Sequence, residues 1–90
     1  MAAYTSIDEA QKAIIDLLYW FSTNDITCVP VEPNIPGGAS DLFTLCLLNA
    51  YVDYLLDCQS VNNGTGGSRT CADCASTYNA RRENCEVLYG

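Results

Sequence analysis

Cys71-Ala72-Asp73-Cys74 is the closest pair of reactive side chains in this 90-residue chain. It stands where a helix is predicted to begin, and a helix N-terminus lowers a thiol pKa. A C-x-x-C in that place is the pattern of thiol-disulfide enzymes, with Cys71 and Cys74 as the redox pair. Its surroundings favour structural pairing. There is no βαβ pattern and no proline following a strand, and Cys28, Cys46, Cys58 and Cys85 are ordinary disulfide partners. Cys58, Cys71 and Cys74 with Cys46 or Cys28 could also make a four-thiolate metal site. Zinc sites usually carry two close pairs and only one exists here, so no metal and no cofactor is expected. Asn49, Asp53 and Asp57 offer oxygen ligands at helical spacing. A helix does not wrap a calcium ion as a loop does, so these residues read as a solvated strip.

The chain has no histidine. That removes the commonest general base and zinc ligand, and it rules out a Ser-His-Asp or Cys-His site within one chain. No catalytic residue is assigned, and the expectation is a protein that is not an enzyme.

Eleven acidic residues face four basic ones, a formal net charge of −7. Nucleic acid is a poor partner for such a chain, since phosphate contacts need Lys and Arg. Anionic membrane surfaces are disfavoured in the same way. The acidity fits a basic partner, and it fits better a soluble, self-repelling surface. No apolar run approaches the ~20 residues of a membrane span. The first residues carry no positive region, and Asp16 breaks the apolar run of residues 14–21. The expectation is a mature product with an added Met1, or a chain that reaches an oxidising place without a cleaved signal.

A chain this short builds a modest core, and small domains often add covalent staples. Six cysteines, an even number, fit a disulfide framework in an extracellular or otherwise disulfide-permissive compartment. The element these staples must serve is residues 41–58. This stretch has no proline or glycine and is long enough for about five turns. On a helical wheel Leu45, Leu48, Val52, Leu55 and Leu56 form an apolar face, extended by Phe43, Leu47, Tyr51 and Tyr54. A helix so apolar needs neighbours on two or more sides, or a partner molecule.

Before it, Ser6 with Glu9 makes a capping box, and Ile7, Ala10, Ile14, Leu17, Leu18 and Phe21 recur at helical spacing to about residue 24. Residues 26–40 form a connector, because Pro30, Pro33 and Pro36 forbid a helix. Val29, Val31 and Ile35 should lay it against the core, with Cys28 pinning it. Residues 59–69 read as a flexible loop rich in Gly, Asn and Ser. Asn63-Gly64-Thr65 within it is a candidate glycosylation sequon, a triplet that also arises by chance. Thr70 with Asp73 caps a third helix to about residue 88, with Cys71, Cys74, Tyr78 and Cys85 on its buried side. The expected fold is a small all-α three-helix bundle, one domain over residues 1–90, with helices at about 6–24, 41–58 and 71–88 and three disulfides. Tyr19, Trp20, Tyr51 and Tyr54 form a candidate interaction patch, although aromatics at this spacing are more often core and rim.

The pairing follows from helix geometry. Cys85 lies about 16 Å beyond Cys74 along the third helix at ~1.5 Å per residue. A disulfide needs Cα atoms within roughly 7 Å, so Cys85 cannot join Cys71 or Cys74. If Cys71 and Cys74 do not bond each other either, then in an antiparallel hairpin Cys46–Cys85 and Cys58–Cys74 form two rungs, leaving Cys28–Cys71. Exchanging Cys71 and Cys74 is almost as good. Cys46 and Cys58 differ by about 120° around their helix, which must rotate to serve both rungs. Cys28 must reach the start of the third helix. Either the connector doubles back along the bundle, or the first helix runs parallel to the second.

Cys46 and Cys58, with eleven residues between them, and Cys74 and Cys85, with ten, resemble the twin-cysteine helical hairpins of the mitochondrial intermembrane space, where the spacing is usually nine. That resemblance implies an assembly or structural role without a cleaved signal. As a class, the small acidic disulfide-held chain is similar to the secreted mating pheromones of ciliates. Both resemblances point away from catalysis. The leading expectation is a non-enzymatic protein acting by protein–protein recognition or self-assembly, as a secreted signal, an effector or a structural subunit. The partner is then another protein or a homo-oligomer. An intermembrane-space assembly factor and a thiol-disulfide redox protein are the alternatives.

Overall fold

Three capped helices carry the fold in the computed structural model, which describes residues 3–90. Met1 lies outside the described residues. Helix α1 spans Ile7–Thr23, α2 Asp41–Asn62 and α3 Cys71–Tyr89. Each begins on a hydroxyl cap. Ser6 Oγ accepts from Glu9 N at 3.4 Å, and Ser40 Oγ accepts from Phe43 N at 3.2 Å. Thr70 and Asp73 make a reciprocal box, with Thr70 N donating to Asp73 Oδ2 at 2.8 Å and Asp73 N to Thr70 Oγ1 at 3.2 Å.

The bundle is organised on α2, against which both α1 and α3 pack, while α1 and α3 do not touch each other. Wrapping on two sides suits a helix that is apolar over most of its circumference. Phe43, Leu47, Leu48, Tyr51, Val52, Tyr54, Leu55 and Cys58 are all buried. Leu56 departs from the expected face and stays exposed. From α1, Ala10, Ile14 and Phe21 enter the core, whereas Leu18 remains partly exposed on its flank.

Two asparagines of α2 set the direction of α1. Asn49 exchanges two hydrogen bonds with the backbone of Tyr4, at 2.9 and 3.0 Å. Asn62 accepts from Thr27 N and Cys28 N and donates to Cys28 O. The start of α1 therefore lies near the middle of α2, and its end near the end of α2, so the two run parallel. The connector must then return along α2, and it does. The two routes considered for Cys28 are one arrangement.

The connector is held through its backbone, contrary to the expectation from its apolar residues. Val31 N donates to Tyr54 Oη at 3.1 Å, and Tyr51 Oη donates to Val31 O at 2.6 Å. With its peptide groups turned to the tyrosines, Val31 faces solvent, as does Val29. Of these three valine and isoleucine residues Ile35 alone packs against the core, which Ile26, Cys28 and Ala39 of the connector also join.

Helix α2 runs four residues past the expected end at Cys58. Val61 packs on the core and Asn62 bonds the connector, which rewards continuation. The helix stops at Asn63, and Gly64, at φ 80°, takes the left-handed turn that follows. Thr65 N and Gly66 N then close back onto Ser60 O at 2.9 and 3.0 Å. The loop expected at 59–69 thus begins at 63 and is partly closed on the helix end.

Two disulfides staple the bundle: Cys28–Cys71, with Cα atoms 5.4 Å apart, and Cys46–Cys85, at 5.8 Å. The expected third rung differs. Cys58 and Cys74 are buried thiols in the structure. Their helices place them side by side, but the sulfurs carry no bond.

Candidate interaction surface

Antiparallel packing brings the first turns of α2 to the last turns of α3. The Cys46–Cys85 bond ties these ends and forms the floor of an open groove of about 290 Å³. Leu42 and Leu45 wall it on the α2 side, Leu88 and Tyr89 on the α3 side. Leu45 is partly buried against the core, whereas the other three are apolar yet uncovered: Leu42 is 63% exposed, Leu88 60% and Tyr89 44%. They lie outside the faces their helices bury against each other, so folding leaves them to solvent. A concave apolar site with a few polar groups is the usual form of a binding surface.

The polar groups come from Asn49 and Asp53 of the strip Asn49, Asp53 and Asp57, and from Arg81 and Asn84 on α3. Expected as a solvated face, this strip lies between helices instead, with Asp53 only 8% exposed. Arg81 Nη1 stands 3.9 Å from both Asp53 Oδ2 and Asp57 Oδ2. This nitrogen is shielded from solvent and has no partner at hydrogen-bond distance. Asp57 also accepts from Arg69 Nη2 at 3.2 Å, and the same nitrogen donates to Thr77 Oγ1 at 3.1 Å. The result is an apolar cleft with a cation recessed at its inner end.

The expected aromatic patch is not assembled. Tyr51 and Tyr54 are 1% and 4% exposed, inside a cluster with Tyr78. Tyr54 and Tyr78 stack at 4.6 Å, and Tyr51 meets Tyr78 edge-on at 5.7 Å. The guanidinium of Arg82 sits 5.6 Å from the Tyr78 ring centre, a cation–π distance. Helix two already had neighbours for these rings, and their hydroxyls had the connector to hold. Tyr19 is exposed on α1, and Trp20 is half-buried edge-on against Phe21 at 5.1 Å.

Burial raises the pKa of all three tyrosines of the cluster, that of Tyr51 to about 12 with help from Tyr78 and Tyr54. Burial likewise pushes the Cys58 thiol up to about 12, with the neighbouring Cys74 adding to the rise. Cys58 is therefore a protonated, unreactive thiol at neutral pH. Cys71, the other chemically notable position, is bonded to Cys28 rather than paired with Cys74. With Cys28, Cys46 and Cys71 in disulfides, the four-thiolate set is not available. Among the described residues no group of three or more potential ligands converges on one point.

Asn63 is exposed and caps α2. Its Oδ1 accepts from Thr65 Oγ1 at 2.6 Å and from Thr65 N at 3.2 Å. Among the described residues no helix is long and apolar enough to cross a membrane. The groove residues Leu42, Arg81, Asn84, Leu88 and Tyr89 were not singled out from the sequence. The signal was there in part: Leu42 and Leu88 are apolar positions off the buried arcs, at helix ends that an antiparallel hairpin brings together. No family model, curated protein or solved structure matches the chain.

Proposed function

We propose that this protein acts without catalysis, by recognising a partner protein in the groove between α2 and α3. The small disulfide-stabilised helical fold suits such a role. The observation that carries the reading is the uncovered apolar wall of Leu42, Leu88 and Tyr89, continued by the half-buried Leu45, around a recessed Arg81. The occupant is a protein segment with an apolar anchor and a basic flank. The net charge of −7 favours basic flanks and sets a second copy of the chain at a disadvantage. Two disulfides fit an oxidising compartment, and the extracellular space is the one this reading takes, for a secreted signal or effector.

A peptide-display selection on the immobilised protein tests the reading. Selected peptides should share an aliphatic or aromatic anchor beside Lys or Arg. They should lose binding to Leu88→Asp and keep it to Tyr19→Asp, which alters an exposed site on α1. Peptides insensitive to Leu88→Asp would place recognition elsewhere. A concentration-dependent dimer in sedimentation, abolished by Leu88→Asp, would replace the partner with a second copy.

One observation supports a second reading, the intermembrane-space assembly factor. Cys46 is bonded to Cys85 and Cys58 lies opposite Cys74, the arrangement of a twin-cysteine hairpin. Fractionation of cells expressing the tagged chain separates the two, since the first reading requires the protein in the medium. A redox role for Cys71 and Cys74 has less support, because the two cysteines do not face one partner. Insulin reduction measured beside Cys71→Ser tests it.

A further inference from the structure

Cys58 and Cys74 are buried free thiols that the recognition surface does not use. Cys58 lies near the end of α2 and Cys74 in the first turn of α3, joined through the short connection of residues 63–70. Both belong to the buried core cluster, where Cys74 neighbours the Cys58 thiol, and they are 2% and 0% exposed. Cys71 precedes Cys74 by three positions on the same helix and is already bonded to Cys28. Cys85, further along α3, is bonded to Cys46 on α2. One covalent tie therefore joins α2 to α3, the other holds the start of α3 to the connector that Asn62 clamps, and this register brings the pair together with the helices intact.

We propose that Cys58 and Cys74 are a preorganised dithiol that a low-molecular-weight disulfide of the glutathione type closes into a third cross-link. One protein thiol loses its proton and attacks the external disulfide, forming a mixed disulfide and releasing one small thiol. The second protein thiol then attacks the protein sulfur of that mixed disulfide and expels the other small thiol. The two protein sulfurs are oxidised by two electrons, the external disulfide is reduced, and both protons leave on the small thiols. The buried pair is reached by fraying of the helix ends around residues 63–70, where local opening needs the least disruption. Once closed, the bond is shielded by the packing that now shields the thiols.

The test is a disulfide map of the full chain after incubation in a mixture of reduced and oxidised glutathione. The protein is unfolded in iodoacetamide, weighed intact, and digested with trypsin and an endoproteinase that cleaves before aspartate. Cleavage before Asp73 separates Cys71 from Cys74, cleavage at Asp53 or Asp57 separates Cys46 from Cys58, and cleavage after Arg81 or Arg82 separates Cys74 from Cys85. The expected result is no alkylated cysteine and a Cys58 peptide joined to a Cys74 peptide. Two alkyl groups at Cys58 and Cys74 beside intact Cys28–Cys71 and Cys46–Cys85 bonds would overturn the proposal. So would either thiol joined to a different cysteine. Closure should also speed up severalfold in mild denaturant, and an unchanged rate would contradict entry through local opening.

Discussion

The side-chain amide of Asn62 pairs with the backbone of Cys28 in both directions, accepting at 2.8 Å and donating at 3.0 Å. A third bond, from Thr27 N at 2.6 Å, completes the clamp. One residue at the end of α2 thus anchors the exit of α1 beside the Cys28–Cys71 bond. Asn62→Ala should cost about 1–3 kcal/mol, since it leaves partly buried backbone groups unpaired. Asn63→Ala, which removes only an exposed turn contact, should stay within about 0.5 kcal/mol. Urea unfolding followed by circular dichroism measures both, and equal effects would contradict the clamp.

Arg81 and Arg69 both face Asp57, but their surroundings differ. Arg69 is the more exposed, and a pair of that kind contributes about 0–1 kcal/mol. Arg81 also lies against Asp53, which is buried between the helices. Arg81→Ala removes that counter-charge and should cost about 1–3 kcal/mol, below the full loss of a buried pair because the ions stand 3.9 Å apart and Arg81 is partly solvated. Arg69→Ala should cost less, and its effect should vanish in high salt. A larger cost for Arg69→Ala would reverse this assignment.

The tyrosine cluster and Cys58 make the fold sensitive to alkali. Burial raises Tyr51 from 10.0 to about 12 and Cys58 from 9.0 to about 12, and Tyr54 and Tyr78 are raised as well. The unfolded chain loses these protons first, so between the two sets of values the folded state holds more protons and stability falls as pH rises. The contribution is whole below about pH 9 and is lost as pH rises towards 12. Urea midpoints taken at intervals from pH 8 to 11.5 should fall across this window. With the Cys58–Cys74 cross-link closed the thiol no longer titrates, and the decline should begin nearer pH 10. A flat profile would mean that these groups are not buried in solution.

Helix starts and two of the three expected staples were legible in the sequence because local signals and helix geometry agree there. Ser6, Ser40 and Thr70 cap as their types suggest, and the rise per residue alone forbids a bond from Cys85 to Cys74. What could not be read depends on tertiary neighbours. Val31 faces outward because Tyr51 and Tyr54 claim its backbone, which no local pattern announces. Asp53 looks like a surface residue until Arg81 is placed across from it. The groove needs the register of α2 against α3, so Leu42 and Leu88, far apart in the chain, signalled two apolar positions off the buried arcs but not the groove they share. The same register removed Tyr51 and Tyr54 from the surface by giving them Tyr78 as a neighbour.

The most direct measurement is an amide correlation spectrum of the isotope-labelled protein, titrated with a peptide selected on it. Recognition in the groove predicts that the amides of Leu42, Leu45, Asn84, Leu88 and Tyr89 shift together and saturate at one peptide concentration. Shifts confined to the exposed side of α1, around Ile15 and Tyr19, would contradict it.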